Sequence, residues 1–178
     1  MNQLSVVAAA AEAGARLGLI ACEPSGDSRV YTYAELAEEA ARRAVNGAPG
    51  RLVPVVAERD PATAMTVYAA LERRTPLLLL HPRQSDDERE RARELARRAG
   101  PLVPAPALAL LTSGSSAAPK AVLLGRDAIA ASAEASAARL GWRPADGDGP
   151  GARWLCCLPL AHIGGLSILT RCLIARRP

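Results

Sequence analysis

Residues 110–124, LLTSGSSAAPKAVLL, decide the fold of this chain because they place a polar loop between two apolar, strand-like runs. The loop concentrates hydroxyl groups and accessible backbone N–H groups at five consecutive positions: Thr112, Ser113, Gly114, Ser115 and Ser116. Successive N–H groups in such a turn form a concavity that binds anions, and the hydroxyls add further donors. The stretch therefore predicts a phosphate-binding loop between two strands.

Lys120 lies near the end of this loop and is the only lysine among the 22 basic residues of the chain. The ammonium of lysine is a compact charge with three donors, whereas the guanidinium of arginine is a planar fork. A lysine at this one position favours a function in holding phosphate. The alternative is chance, because some position must carry the last lysine of an arginine-rich chain.

Strand-like and helical patterns alternate along the rest of the chain. Short apolar runs bounded by turn residues predict strands at 17–22, 29–32, 51–57, 76–80, 108–111, 121–124 and 153–158. The stretches between them predict helices at 4–17, 33–44, 61–73, 86–99, 127–140 and 163–175. This alternation predicts an α/β fold with a largely parallel sheet flanked by helices.

Several helix starts can be predicted from their capping residues. Thr32 with Glu35, and Ser85 with Glu88, have the spacing of a capping box. Asp60 precedes a proline, which suits an N-cap followed by the first residue of a helix.

Two further segments carry turn or edge signals. Pro54 within the run 51–57 favours an edge strand or a bulge, since proline cannot donate a hydrogen bond to a neighbouring strand. The segment 144–151, PADGDGPG, is typical of an exposed turn.

Composition and charge limit the classes of function. A chain of 178 residues suits one domain, and with 49% hydrophobic but only 3% aromatic residues its core must be aliphatic. The net charge of +4 comes from arginines scattered among carboxylates, a pattern that does not predict nucleic-acid binding. The N-terminus lacks the basic region of a signal peptide, and no apolar run reaches membrane-spanning length. We therefore expect a cytoplasmic protein.

The four cysteines have no C-x-x-C spacing and predict neither a metal site nor a disulfide framework. Buried free thiols in a reducing compartment fit this pattern better. The residues are Cys22, Cys156, Cys157 and Cys172.

The polar loop is not a Walker-A loop, although Gly114 and Lys120 have the spacing of one. Pro119 occupies the position of the second glycine, and Ala121 replaces the hydroxyl residue that would bind magnesium.

The loop instead resembles the phosphate-binding signature of the adenylate-forming superfamily, which includes acyl-CoA synthetases, luciferases and peptide-synthetase adenylation domains. That signature reads TSG, Ser or Thr, Thr, Gly, any residue, PKG and usually Val. The positions that match it are Thr112, Ser113, Gly114, Ser115, Pro119, Lys120 and Val122. Ser116 replaces a threonine, while Ala117 and Ala121 stand where the signature has glycines.

A second resemblance lies in residues 154–169, WLCCLPLAHIGGLSIL, which contain the PL-x-H-x-x-G-L segment of the superfamily. The segment looks most like o-succinylbenzoate–CoA ligase of menaquinone biosynthesis. The resemblance implies that His162, Gly164 and Gly165 border the acyl-substrate pocket. A lone histidine at a strand-to-helix turn can equally be a structural hydrogen-bonding residue.

Weaker resemblance extends over most of the chain. Residues 31–36, YTYAEL, are similar to an early segment of the family, and residues 77–83, LLLLHPR, to its P-L-x-P-R segment. His81 in the latter is interpreted as a surface or loop histidine.

The family resemblance implies an ATP-dependent acid–CoA ligase acting on o-succinylbenzoate or another aromatic acid, with ATP, Mg²⁺ and CoA as the other reactants. It implies that residues 1–178 correspond to the N-terminal portion of the AMP-binding large domain, without the C-terminal domain. No catalytic residue is assigned in this portion, and we expect no turnover by it alone.

Two alternatives remain open from the sequence. One is an ATP- or phosphate-binding module that does not catalyse a reaction, and the other is a structural remnant. A homo-oligomer formed through exposed apolar surface is compatible with each of these.

Overall fold

The computed structural model describes residues 3–22, 25–112, 120–141 and 153–178. The predicted turn at 144–151 lies outside these residues, as does the interior of the polar loop. The described elements are α1 (Val6–Ala13), β1 (Leu17–Cys22), β2 (Ser28–Thr32), α2 (Tyr33–Arg42), β3 (Val53–Val56), α3 (Pro61–Arg73), β4 (Leu77–Leu80), α4 (Asp86–Arg98), β5 (Leu108–Thr112), β6 (Lys120–Leu124), α5 (Arg126–Arg139) and α6 (Ile163–Ala175).

The main sheet has the strand order β3–β4–β5–β6. Its first two pairs are parallel and its last pair, β5 with β6, is antiparallel. A parallel connection needs roughly a dozen residues or more, and the seven residues between β5 and β6 are too few. The strands β1 and β2 form a separate antiparallel hairpin. The predicted α/β fold with a largely parallel sheet is confirmed.

Strand β4, in the parallel part of the main sheet, is buried on both faces, as parallel strands usually are. Successive side chains of β4 alternate between two clusters: Leu77 and Leu79 join the larger core, whereas Leu78 and Leu80 join a smaller one. Helix α4 covers the smaller cluster with the short side chains Ala92 and Ala96, and it presents its charged side chains to solvent. A continuous run of four leucines therefore fits between two layers of helices.

The predicted helix starts are present. The Thr32 hydroxyl accepts from the Glu35 N–H at 3.3 Å, and the Glu35 carboxylate accepts from the Thr32 N–H at 2.7 Å. Ser85 and Glu88 form the same reciprocal pair ahead of α4. Asp60 accepts from the Thr63 N–H at 2.7 Å at the start of α3. Helix α2 ends at Arg42, two residues before its predicted end.

Pro54 lies in β3, which is an edge strand of the main sheet. The edge position lets the missing N–H of proline face away from the neighbouring strand. The prediction from the sequence is confirmed.

The start of α2 is fixed to the end of α6 by the side chain of Tyr33. The buried Tyr33 hydroxyl donates toward two carbonyl oxygens, those of Cys172 at 2.8 Å and Arg177 at 2.9 Å. Burial raises the pKa of this phenol above its ordinary value, so it remains a donor. Arg176 adds an ion pair with Glu12 of α1 at 2.9 Å.

The strand predicted at 153–158 is wrong. No strand in the described ranges pairs with these residues, and Leu155 and Leu158 are 79% and 47% exposed. The backbone N–H of Trp154 instead donates to the carbonyl of Pro178 at 3.2 Å. Apolar content favoured a buried strand, but a strand also needs a partner for its backbone, which composition does not reveal.

The expectation of buried thiols holds for only one cysteine. Cys172 is buried in α6, Cys156 is half-buried, and Cys22 and Cys157 are exposed. All four are free thiols. Cys157 is exposed because residues 153–158 do not form the predicted buried strand. Among the described residues, no helix combines the length and the apolar character needed to cross a membrane.

Candidate functional site

The carboxyl edge of the parallel strands is the place where ligands bind in open α/β sheets. Strands β3, β4 and β5 all end at this edge, and β6 begins there because it runs antiparallel to β5. The side chains that follow these strand ends are Glu58 and Arg59 after β3 and His81 after β4. The edge therefore brings charged and polar groups from separate parts of the chain together.

The polar loop joins β5 to β6 at this same edge. Thr112 and Lys120 are the terminal residues of the two strands and are paired with each other across the ladder. The Thr112 hydroxyl donates to the Lys120 carbonyl at 3.4 Å. The four remaining predicted phosphate-binding residues, Ser113, Gly114, Ser115 and Ser116, lie outside the described residues. The structure thus places both ends of the loop but does not test its interior.

Ala121 replaces a glycine of the family signature and fits into regular structure. It lies in β6 opposite Leu111 and packs against the smaller core cluster. The described non-glycine residues with positive φ are Arg74 and Arg176, so Ala121 is not in the conformation that favours glycine. A methyl side chain at this position therefore causes no backbone strain. Ala117, the other replacement, lies outside the described residues.

His162 is the N-cap of α6, with extended backbone angles of φ −110° and ψ 147°. Its backbone N–H donates to the Pro159 carbonyl at 3.0 Å, and its own carbonyl accepts the first helical bond, from Leu166, at 3.0 Å. The imidazole makes no capping hydrogen bond. The sequence prediction placed this histidine at a strand-to-helix turn, and the structure puts it at the start of the helix, exposed to solvent.

Gly164 and Gly165 form the first turn of α6 and let the helix approach residues 158–159 closely. A Cβ on Gly165 would lie 2.6 Å from the Leu158 carbonyl oxygen and would also overlap the Pro159 carbonyl. A Cβ on Gly164 would meet only the Leu158 side chain, at 2.6 Å. Glycine is therefore required at position 165, because a larger side chain would collide with the backbone of residues 158–159. This structural role is additional to the one that the family resemblance implies.

The structure brings His81 against His162, a contact that the sequence did not predict. The two ring centroids are 4.9 Å apart and the ring planes are inclined by 45°. Partial burial is the main cause that lowers the pKa of His81, followed by the charges of His162 and Arg83, whereas Glu58 acts in the opposite direction. His81 is indeed a loop residue, directly after β4. Its partner could not be inferred from either local sequence.

A separate cleft lies between the β1–β2 hairpin, the start of α3 and residues 153–157. It has a volume of about 520 Å³ and is lined by Leu19, Cys22, Arg59, Asp60, Trp154 and Cys156, among others. Arg59 spans one end, where its guanidinium donates to the Cys157 carbonyl at 2.9 Å. Among the described residues, none of those predicted from the sequence as site residues lines this cleft.

No group of three or more metal-ligating side chains is formed within the described residues.

Comparison with known proteins identifies relatives of the chain. A probable 2-succinylbenzoate–CoA ligase of Mycobacterium tuberculosis is 44% identical over 69 residues, which cover 39% of this chain and 16% of that protein. The o-succinylbenzoate CoA synthetase from Bacillus subtilis, solved in complex with its acyl-adenylate intermediate, superposes with a TM-score of 0.73 at 22% identity. The superposition covers 97% of this chain and 53% of that one.

The chain has the fold of the N-terminal part of these adenylate-forming enzymes. The same Bacillus subtilis enzyme in complex with ATP and magnesium superposes with a TM-score of 0.70 at 22% identity, over 97% of this chain and 55% of that one. These similarities support the family resemblance predicted from the two motifs. No family model matches the chain. The chain spans about half the length of the solved adenylate-forming relatives that it superposes on.

Proposed function

We propose that this chain is a member of the adenylate-forming superfamily and forms the N-terminal portion of the large domain of an ATP-dependent acid–CoA ligase. The observation that carries the proposal is the hairpin of β5 and β6, which holds a TSGS loop and the lone lysine at the carboxyl edge of the sheet. The 44% identity with a probable 2-succinylbenzoate–CoA ligase over 69 residues supports o-succinylbenzoate, or a similar aromatic acid, as the substrate.

The proposed reaction has two steps. The substrate carboxylate attacks the α-phosphorus of Mg-ATP, forming an acyl-adenylate and releasing pyrophosphate. The thiol of CoA then attacks the acyl carbon, forming the thioester and releasing AMP. Both steps depend on positioning and on stabilising charge at the phosphates, and neither needs a nucleophile from the protein.

In this proposal, the residues of the loop and Lys120 have separate roles in binding the phosphates. The hydroxyls and backbone N–H groups of Thr112, Ser113, Gly114, Ser115 and Ser116 would hold the β- and γ-phosphates. Lys120 would add a positive charge beside them, because it begins β6 directly next to Thr112. We propose that His162, Gly164 and Gly165 border the acyl-substrate pocket. Of these, His162 is exposed and able to touch a ligand, whereas Gly165 is buried and shapes the turn.

Binding of Mg-ATP to the purified chain tests this proposal. Isothermal titration is expected to detect binding that is lost on replacement of Lys120 by alanine. An absence of heat with millimolar ATP would contradict both the ligase assignment and a simple nucleotide-binding module. We expect no pyrophosphate release when o-succinylbenzoate is added, because the chain spans about half of its solved relatives.

A second candidate is an ATP- or phosphate-binding module that does not turn over. The observation that favours it is the same partial coverage, combined with a phosphate loop whose two ends are in place. Acyl-adenylate formation by residues 1–178 would contradict this candidate. ATP binding without any effect of the acid would favour it.

Two further expectations from the sequence belong to the same proposal. We infer a cytoplasmic location, where ATP and CoA are available. Self-association is supported by apolar side chains exposed near the start of α6, namely Leu155, Leu158 and Ile163. Sedimentation at several concentrations measures whether the chain is a monomer.

A further inference from the structure

The turn that carries His81 is held by three hydrogen bonds within four residues, His81 to Gln84. The Gln84 N–H donates to the His81 carbonyl at 3.1 Å, and the Gln84 side-chain oxygen accepts from the His81 N–H at 3.0 Å. The Arg83 N–H donates to the His81 Nδ1 at 3.0 Å. Pro82 suits the second position of such a turn, and its carbonyl accepts from the side chain of Arg89 in α4. The imidazole of His81 is therefore fixed to its backbone.

The bond to Nδ1 also decides the protonation of the His81 ring. A nitrogen that accepts a hydrogen bond carries no proton, so the neutral ring has its proton on Nε2. The pKa of His81 is lowered by partial burial first and by the neighbouring His162 and Arg83 next, with Glu58 opposing them. Each of these charged groups comes from a loop at the same edge of the sheet. The hydrogen bond at Nδ1 thus leaves the Nε2–H of the neutral ring directed away from the turn.

The imidazole of His162 has no comparable support of its own. It makes no capping bond to α6, and within the described residues its ring contact is with His81. An exposed side chain held by one ring contact loses its preferred rotamer when that contact is removed. Aromatic rings in such a tilted arrangement attract each other beyond the burial of area.

We propose that His81 is a positioning residue, which holds the imidazole of His162 at the carboxyl edge of the sheet so that it can hydrogen-bond an oxygen of the acyl substrate. This inference rests on the proposed ligase function. His162, the exposed ring, is the partner for the ligand, and His81 fixes its position.

The test uses nuclear magnetic resonance, because the chain contains only two histidines and each variant assigns the other. Long-range ¹H–¹⁵N spectra of the native chain are expected to show His81 as the Nε2–H tautomer. In His81→Asn, the asparagine oxygen can still accept from the Arg83 N–H, so the turn is kept while the ring is lost. The His162 ring signals are then expected to move to the positions of a free histidine. Unchanged His162 signals in a folded His81→Asn chain would overturn the proposal.

Titration with o-succinylbenzoate supplies the functional half of the test. In the native chain we expect the His162 ring signals to shift. In His81→Asn we expect the Kd for o-succinylbenzoate to rise about two- to tenfold, which corresponds to the loss of one ring contact. Arg83→Ala is the matched control, since it keeps the backbone donor of the turn and is expected to leave the His81 tautomer unchanged.

The outcomes separate the two proposals. If o-succinylbenzoate shifts the ring signals of neither histidine in the native chain, then the proposed acyl site and the proposed positioning role of His81 are both wrong. If it shifts His162 equally in the native and His81→Asn chains, only the positioning role is overturned. Backbone amide spectra of each variant establish that α4 and α6 remain folded.

Discussion

Thr112 and Lys120 are paired across the last antiparallel rung of the sheet, and the Thr112 hydroxyl donates to the Lys120 carbonyl at 3.4 Å. The contact involves only the backbone of Lys120. Its side chain is exposed and contributes no packing to either core cluster. The base of the loop and the charge beside it are therefore separable by mutation.

Lys120→Ala is expected to weaken Mg-ATP binding by about tenfold or more, because a hydrogen bond to a charged group is lost. The free energy of unfolding should remain near that of the native chain. Isothermal titration and urea unfolding measure the two quantities. Arg139→Ala removes the same charge from an exposed site in α5 and should leave ATP affinity unchanged. Equal losses of affinity in both variants would mean that net charge, and not the position of Lys120, governs binding.

Tyr33 and Tyr68, two of the three tyrosines buried in the larger core, should respond differently to loss of their hydroxyl. Tyr33→Phe removes a buried hydroxyl that donates to the carbonyls of Cys172 and Arg177 and should cost about 1–3 kcal/mol. The hydroxyl of Tyr68 has no hydrogen-bond partner within the described part of the chain. Tyr68→Phe should therefore change the free energy of unfolding by less than about 0.5 kcal/mol, or raise it. Urea unfolding of both variants gives the comparison, and equal costs would contradict the hydrogen bonding of Tyr33.

The paired glycines of α6 provide another matched comparison. Gly165→Ala forces a methyl group against two backbone carbonyls and should lower the free energy of unfolding by about 2–3 kcal/mol. Gly164→Ala meets only the end of the Leu158 side chain, which can move, and alanine favours a helix. Its effect should stay within about 1 kcal/mol. Thermal unfolding ranks the variants, and a reversed order would contradict the close approach at Gly165.

The N-cap of α4 should contribute measurably to stability. Ser85→Ala removes the acceptor for the Glu88 N–H and should lower the free energy of unfolding by about 1 kcal/mol. Ser132→Ala, at an exposed position inside α5, is the control and should be neutral or slightly stabilising because alanine is the better helix former. Chemical denaturation of both variants decides this prediction, which fails if Ser85→Ala is also neutral.

The carboxylate of the same capping box should make stability depend on pH. The Ser85 N–H, with a smaller contribution from its hydroxyl, lowers the pKa of Glu88 from its ordinary value of 4.5. A lowered pKa in the folded chain means that the stabilisation is complete above pH 4.5 and is lost as the pH falls through the folded-state value.

Glu88→Ala should therefore be less stable than the native chain at neutral pH, and the difference should shrink below about pH 4, where the carboxylate is protonated. Glu88→Gln keeps an acceptor oxygen that does not titrate, and its stability relative to Glu88→Ala should not vary with pH. Urea midpoints across this pH range test the prediction. A gap between the native chain and Glu88→Ala that is constant in acid would refute it.

Local signals in the sequence were sufficient for most elements of this fold. Capping boxes such as Thr32 with Glu35 report short-range hydrogen bonds, and the edge position of Pro54 follows from its missing N–H. The predictions that failed depend on distant partners. Residues 153–158 have the composition of a strand, yet they lie beside the carbonyl of Pro178 and pair with no described strand.

The candidate site shows the same division. The residues at the two ends of the loop, Thr112 and Lys120, were predicted from a contiguous motif and are placed together. The contact of His81 with His162 joins residues far apart in the sequence, so no local pattern encodes it. The sequence of residues 81–84, HPRQ, indicates only that His81 lies in a tight turn, and it does not indicate which residue the ring contacts.

The hydroxyl of Tyr33 bonds to carbonyls at residues 172 and 177, and Glu12 of α1 pairs with Arg176. These contacts span most of the chain, so they give the protein a high contact order. During synthesis, the helices α1 and α2 emerge from the ribosome long before the residues that complete their core. We expect the chain to fold late and slowly, with its N-terminal helices exposed to chaperones or to aggregation until α6 has emerged.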